Sequence, residues 1–551
     1  MSKYVVGVDF GTLSVRALVA SVSDGTELSS AVYDYPHGVM SERLPNGRKL
    51  PPDYALQHPQ DYLDGLSETV HRAVEEAGIR ADDVIGIGID FTCNTYLPVA
   101  EDFAPLCLKQ EWENDPHAWV KLWKHHGTQS YAEKMEAKAI ERQEPFLKHY
   151  GGKVSPAWLF PRLFETVTED PALYHAAFKF IEAGDWIVYR LCGEEKRSLG
   201  MAGYKAFWSK QTGYPSEEFL ASLHPELAHA VKDKLSEDVY PLGTKAGTLT
   251  ASGAALTGLK EGTAVAVANI DAHVSMPSIG VTEPGNLLMI LGTSTCHIMS
   301  GLSDREVPGV GGIVEDGIVP GAFGYESGQN CVGDCLKWFV DNCLPASYER
   351  AAEEAHMDAH QYLTALAGRL EPGQSGLLAL DWWNGNRSVL CDYDLTGMML
   401  GMTIATKPEE IYRALIEATA YGTRRIVESF EENGLPVEHL FACGGISKKN
   451  PLFMQIYADV LNREIRIARS SQNPALGSAI FGAVAAGPDV GGYETVQEAS
   501  RCMGGLSDTV YYPVPEHAVI YNDLYAEFLR LHDYFGRGEN NVMKSIRKYR
   551  K

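Results

Sequence analysis

The sequence predicts an α/β protein of two lobes with a ligand site between them. Two observations carry that expectation. Short apolar runs rich in β-branched residues alternate with longer amphipathic stretches, and a strand, Gly-Thr turn, strand pattern occurs near the start of the chain and again in its second half. The first copy runs from Tyr4 to Val19 and turns at Gly11-Thr12; the second runs from Asn286 to Met299 and turns at Gly292-Thr293. Two such hairpins, each opening one half of the chain, imply lobes of related topology, residues 1–280 and 281–551, with a ligand held between them. A pattern that occurs only twice does not support a solenoid.

Taken in order, the expected strands are residues 4–9, 84–90, 263–270, 286–291, 440–442 and 464–467, each short and apolar. A helix is expected over 408–433, where Ile411, Leu415, Ala418, Ile426 and Phe430 follow helical spacing, Glu409 and Glu410 stand at the start and Gly434 lies just past the end. A second is expected over 518–535, with Tyr521, Tyr525 and Phe528 as a packing stripe. The last eight residues carry five basic side chains and read as a frayed, solvated terminus.

At 551 residues the chain has room for two to four domains of roughly 150 residues each. A composition of 45% hydrophobic and 22% charged residues excludes a disordered chain. The net charge of −24 opposes nucleic acid and anionic membrane as partners, so any phosphate must be held locally. Ten cysteines without a Cys-x-x-Cys pair or zinc spacing read as reduced thiols, Cys331 and Cys335 among them. The N-terminus runs straight into an apolar strand and no 18-residue apolar run follows, so the expected location is the cytoplasm.

Three motifs carry chemistry. In Asp9-Phe10-Gly11-Thr12-Leu13-Ser14-Val15-Arg16 a glycine lets backbone approach an anion, the Thr12 and Ser14 hydroxyls can donate to phosphate, and Asp9 can hold a divalent cation; a plain hairpin turn is the alternative. The matching turn at Gly292-Thr293 favours phosphate, because a nucleotide cradled between lobes needs donors from both. Asp271 ends the run Val265 to Ile270, where α/β sheets place their active sites, and is either a general base or a helix cap. Gly444-Gly445 follows another strand and offers a flat surface for a purine, with Asn450 either donating to that purine or capping the next helix. No Gly-x4-Gly-Lys-Ser/Thr, dinucleotide glycine pattern or His-Arg-Asp kinase set is present.

These motifs, in this order along nearly the whole chain, resemble the two-lobed carbohydrate kinases that include glycerol kinase, xylulokinase and ribulokinase. The stretch from Gly397 to Met402, followed by Glu410-Ile411 and Ala414 to Glu417, is similar to that family's C-terminal signature. Its N-terminal signature is poorly kept around Ser155 to Glu165, where Trp158 and Arg162 stand near the places of a lysine and a tryptophan. Asp90-Phe91-Thr92-Cys93, Met201 to Trp208, Ala268 to His273 and Leu291 to His297 point to its ketopentose branch. The resemblance implies an actin/hexokinase-like, ribonuclease H-like fold with the active site in the interlobe cleft. It implies Asp271 as general base, Asp9 at Mg²⁺ and Gly333 beside the adenosine of ATP.

Lys205, among Tyr204, Phe207 and Trp208, and Glu326, shortly before Gly333, are candidate sugar contacts; a snorkelling surface lysine and a helix-start glutamate are the alternatives. Trp123 is read either as a stacking face for the sugar or as core. The implied reaction moves the γ-phosphoryl of ATP to the 5-hydroxyl of a ketopentose, L-ribulose first, with Arg16 offsetting charge and lobe closure excluding water. Open beside it stand a kinase for D-ribulose, ribitol or D-xylulose and a non-catalytic nucleotide-dependent regulator. A monomer or homodimer is expected.

Overall fold

A computed structural model describes residues 2–549. Its first large sheet contains β1 (Tyr4–Phe10), β2 (Ser14–Ser21), β3 (Glu27–Asp34), β4 (Val84–Phe91), β5 (Lys245–Thr248), β6 (Ala264–Ala266) and β7 (Asn269–Ile270). The order is β5-β6-β4-β1-β2-β3, with β7 pairing beside the end of β4; β1, β3, β4, β6 and β7 run in one direction and β2 and β5 in the other.

The second sheet contains β8 (Asn286–Leu291), β9 (Thr295–Gly301), β10 (Gly312–Glu315), β11 (Phe323–Gln329), β12 (His439–Cys443), β13 (Ile465–Ala468) and β14 (Leu506–Tyr511), in the order β10-β11-β9-β8-β12-β13-β14. Its β11-β9-β8-β12-β13 path repeats the β3-β2-β1-β4-β6 path of the first sheet in both order and direction.

Strand alternation explains how the first sheet is covered. Val6, Val8 and Phe10 point to one face and pack with Tyr62, Leu66, Val70 and Ala73 of α1 (Pro59–Ala77). Val5 points to the other face, where Ala475, Leu476, Ala479 and Ile480 of a helix from the far end of the chain cover it. Gly7, Gly86 and Gly88 let that helix approach closely: a β-carbon on them would lie 1.8, 2.2 and 1.9 Å from the carbonyl oxygens of Ala475, Gly482 and Ser478.

Five further helices matter to the site: α2 (Leu199–Lys205), α3 (Asp271–Ser278), α4 (Gly333–Cys343), α5 (Pro408–Glu432) and α6 (Gly445–Lys449). Next come α7 (Pro451–Leu461) and α8 (Asn473–Ala486), the helix that covers the first sheet. α3, which follows the first sheet, leans against β8 and β9 of the second and crosses α8 at Gly477. The chain thus exchanges helices between its two sheets.

A separate core, including Tyr96, Trp119, Phe160, Leu163 and Phe207, is built around a four-stranded sheet, three of whose strands lie between β4 and β5 and the fourth, Leu56–Gln57, before β4. Tyr521, Tyr525 and Phe528 are buried in α9 (Pro515–Gly536) as a packing stripe. The basic terminus differs from its expectation. Residues Val542–Arg547 form a helix in which Lys544 pairs with Asp392 and Arg547 with Asp394, because those two acids offer partners that the sequence alone does not bring near. Arg550 and Lys551 lie outside the described residues. Among the described residues no helix is long and apolar enough to cross a membrane.

Candidate functional site

Three carboxylates gather at the carboxyl ends of neighbouring parallel strands. Asp9 on β1 pairs in register with Asp90 on β4, Asp90 pairs with Asn269 on β7, and Asp271 opens α3 just beyond β7. This is where α/β sheets bind ligands. Burial raises the pKa of Asp9 above the ordinary carboxylate value, against the pull of Asp90 and Arg16. Burial, and then the charge of Asp9, raises Asp90 well above it. Asp271 is pushed up to about 7 by the same two causes. Carboxyl groups crowded together in a dry place resist sharing negative charge.

Asp90 uses one oxygen to accept the Ser478 hydroxyl of α8 at 2.5 Å, and its Oδ1 has no partner. The all-oxygen donor set and the orphaned oxygen suit a hard cation such as Mg²⁺. Asp271 does not cap α3: the N-cap residue is Ile270, and the Asp271 carboxylate accepts the adjacent Ala272 N–H at 2.7 Å.

In both hairpins the glycine N–H closes the turn, the second one residue shorter than the first. Gly11 N–H donates to Ser14 O at 2.9 Å and Gly292 N–H to Ser294 O at 3.0 Å. Thr12 Oγ1 accepts the Trp123 indole N–H at 3.1 Å, which leaves the hydroxyl proton free to donate. Arg16 lies opposite Asp9 across the first hairpin, 3.7 Å away. In the second lobe Gly333 N–H donates to Gly292 O at 3.0 Å, and a β-carbon at Gly333 would lie 2.7 Å from that oxygen. Thr293 O accepts the N–H groups of Val332 and Asp334, so its turn is seated on the start of α4.

Gly444 has φ +91° and would drive a β-carbon to within 2.4 Å of Leu291 O, whereas Gly445 faces open space. Asn450 caps: its Oδ1 accepts Phe453 N–H at 3.0 Å at the start of α7, and its amide donates to Thr364.

Lys205 and Glu326 depart from both alternative readings, since both are buried and Glu326 lies on β11 rather than at a helix start. Lys205 Nζ donates to both Glu326 oxygens at 3.0 Å, joining the first lobe to the second. His273 Nε2 lies 2.9 Å from Glu326 Oε2, and Arg387 pairs with Oε1. Burial opposes the Glu326 charge, yet Lys205 and Arg387 outweigh it and hold the carboxyl well below its usual range.

Sequence reasoning gave no site role to Asp90, His273, Arg387 or Ser478, although Asp90 and His273 stand in motifs that carry the resemblance. A signal for Asp90 was present: Gly7-Val8-Asp9-Phe10 recurs as Gly88-Ile89-Asp90-Phe91, and Phe10 stacks on Phe91 at 4.8 Å. No local pattern marks Arg387, which reaches Glu326 from a loop.

Models of the N-terminal and C-terminal domains of the FGGY family of carbohydrate kinases match residues 4–276 and 287–486. The chain belongs to this family. A ribulokinase of Bacillus licheniformis is 54% identical over 97% of this chain and 97% of its own length, and one of Anoxybacillus flavithermus is 51% identical over 100% and 97%. Among solved structures, xylulose kinase from Rhodospirillum rubrum superposes with a TM-score of 0.78 at 22% identity, covering 96% of this chain and 98% of that one. Plasmodium falciparum glycerol kinase with ADP gives 0.75 at 14% identity, covering 96% and 98%. This FGGY chain therefore has the two-lobed actin/hexokinase-like fold.

Proposed function

We propose that the chain transfers the γ-phosphoryl group of ATP to the 5-hydroxyl of L-ribulose, giving L-ribulose 5-phosphate and ADP in the breakdown of arabinose. The observation that carries the reading is Asp271. It is a carboxylate held up to about 7 at the end of the first sheet, beside a Lys205–Glu326 pair contributed by both lobes. A base poised near neutral pH can take the hydroxyl proton as the oxygen attacks phosphorus. The bond from γ-phosphorus to the bridging oxygen breaks, and ADP leaves with that electron pair.

The remaining residues position and neutralise, which is most of what phosphoryl transfer asks of a protein. Glu326 accepts from sugar hydroxyls, Lys205 donates to them, and Trp123 presents its ring to the sugar. Thr12, Ser14 and Thr293 donate to the phosphates, with Gly11 and Gly292 admitting them closely. Gly333, Gly444 and Gly445 line the adenosine side, and Asn450 holds that wall by capping α7. Arg16 balances charge next to Asp9. Mg²⁺, held at Asp9 with Asp90 beside it, supplies charge neutralisation to the phosphates when bound. All ten cysteines are unpaired, which supports a reducing, cytoplasmic setting.

The test is ADP release from ATP with L-ribulose, D-ribulose, ribitol, D-xylulose and glycerol in parallel, with and without EDTA. Turnover greatest on L-ribulose and abolished by EDTA is expected. Folded, ATP-binding protein that no sugar stimulates overturns the reading.

A further inference from the structure

Arg162 is 1% exposed in the helix Leu159–Glu169, yet among the described residues its guanidinium pairs with no carboxylate. Its acceptors are four main-chain carbonyls: Nη1 donates to Asn94 O at 2.8 Å and Lys121 O at 3.1 Å, and Nη2 to Leu122 O at 2.8 Å and His125 O at 3.2 Å. The Tyr96 ring lies beneath it at 4.8 Å. Burying a cation without a counter-charge costs several kcal/mol unless neutral dipoles replace its water. A planar fork meeting several carbonyls does so, where an ammonium does not.

What those carbonyls share is their place in the chain. Lys121, Leu122 and His125 flank Trp123 on both sides, while Asn94 lies in the turn that follows the Asp90 strand. The same helix also grips the Lys121 ammonium through Glu165. Trp123, between these anchored carbonyls, reaches the first hairpin turn by donating its indole N–H to Thr12. We infer that Arg162 is a positioning residue for the sugar site: it ties the segment carrying Trp123 to the end of β4, so the indole stands at a set distance from the carboxylate row. The inference rests on reading Trp123 as a sugar contact.

The test compares Arg162→Lys, Trp123→Phe and the double variant by kcat and KM for L-ribulose and for ATP, with thermal unfolding alongside. Arg162→Lys is expected to raise the L-ribulose KM about tenfold while kcat and the ATP KM stay within about twofold. Trp123→Phe is expected to raise the same KM, and the double variant to add less than about twofold, because both act through one side chain. Should Arg162→Lys fail to fold, Tyr96→Leu carries the test, with a sugar-specific KM rise of about threefold expected. An unchanged sugar KM in Arg162→Lys, both KM values rising together, or additivity in the double variant overturns the inference and leaves the site reading intact. If Trp123→Phe itself leaves the sugar KM unchanged, the sugar reading of Trp123 falls and the inference falls with it.

Discussion

The two sheets share strand order, strand direction and a Gly-Thr hairpin, yet differ at corresponding strand ends. Where the first pairs Asp9 with Asp90, the second pairs Ile290 with Cys443. In the first sheet β4 is followed by a long insertion with its own core, whereas its counterpart β12 in the second is followed by Gly444-Gly445 and a short helix. In the proposed function the shared backbone supplies two phosphate-binding turns, and substitutions at strand ends assign proton transfer to one side and nucleotide stacking to the other.

The largest expected effect comes from removing the proposed base, which has no counterpart in the second lobe. Asp271→Asn should lower kcat/KM for L-ribulose by ~10²–10⁴, read by coupled ADP release. The same variant should melt higher than the native protein at pH 8. Its carboxyl is raised from 3.8 to about 7 in the fold, so whatever stability it contributes is present below pH 3.8 and lost as pH climbs through 7. For the same reason kcat/KM in the native protein should fall on the acid side of pH 7, and an acid limb centred near 4 would break the assignment.

Next is the link between lobes. Lys205→Met leaves Glu326 short of its main partner and should destabilise by about 3 kcal/mol in denaturant unfolding, with sugar turnover falling as well. Smaller still, Gly445→Val puts a side chain into open space on the second lobe and should raise the ATP KM about tenfold, with the sugar KM unmoved; a sugar-specific change would reverse the division of labour between lobes. The smallest effect is expected at the terminal helix: Lys544→Ala with Arg547→Ala removes two exposed pairs and should cost less than about 1 kcal/mol.

Much of this contrast was legible in the chain itself, because turns and strand ends are local. Gly11-Thr12, Gly292-Thr293, the apolar run before Asp271 and the helix over 408–432 each follow from neighbours within a few residues. What was not legible depends on register and distance. Asp90 joins Asp9 only once β1 and β4 pair, Arg387 finds Glu326 from far along the chain, and Lys544 finds Asp392 in the same way. Asn450 shows the other limit: its position before Pro451 allowed both a cap and a donor, and only the Phe453 N–H in place shows the cap.

The seating of α8 on Gly7, Gly86 and Gly88 has a consequence for biosynthesis. Strands made first on the ribosome receive one of their two covering layers from residues made near the end, so half of that sheet stays bare until Asn473–Ala486 has emerged. Contacts of such long sequence separation form slowly and leave strand faces open to misassociation. A nascent chain released before that point should be a client for chaperones rather than a finished domain.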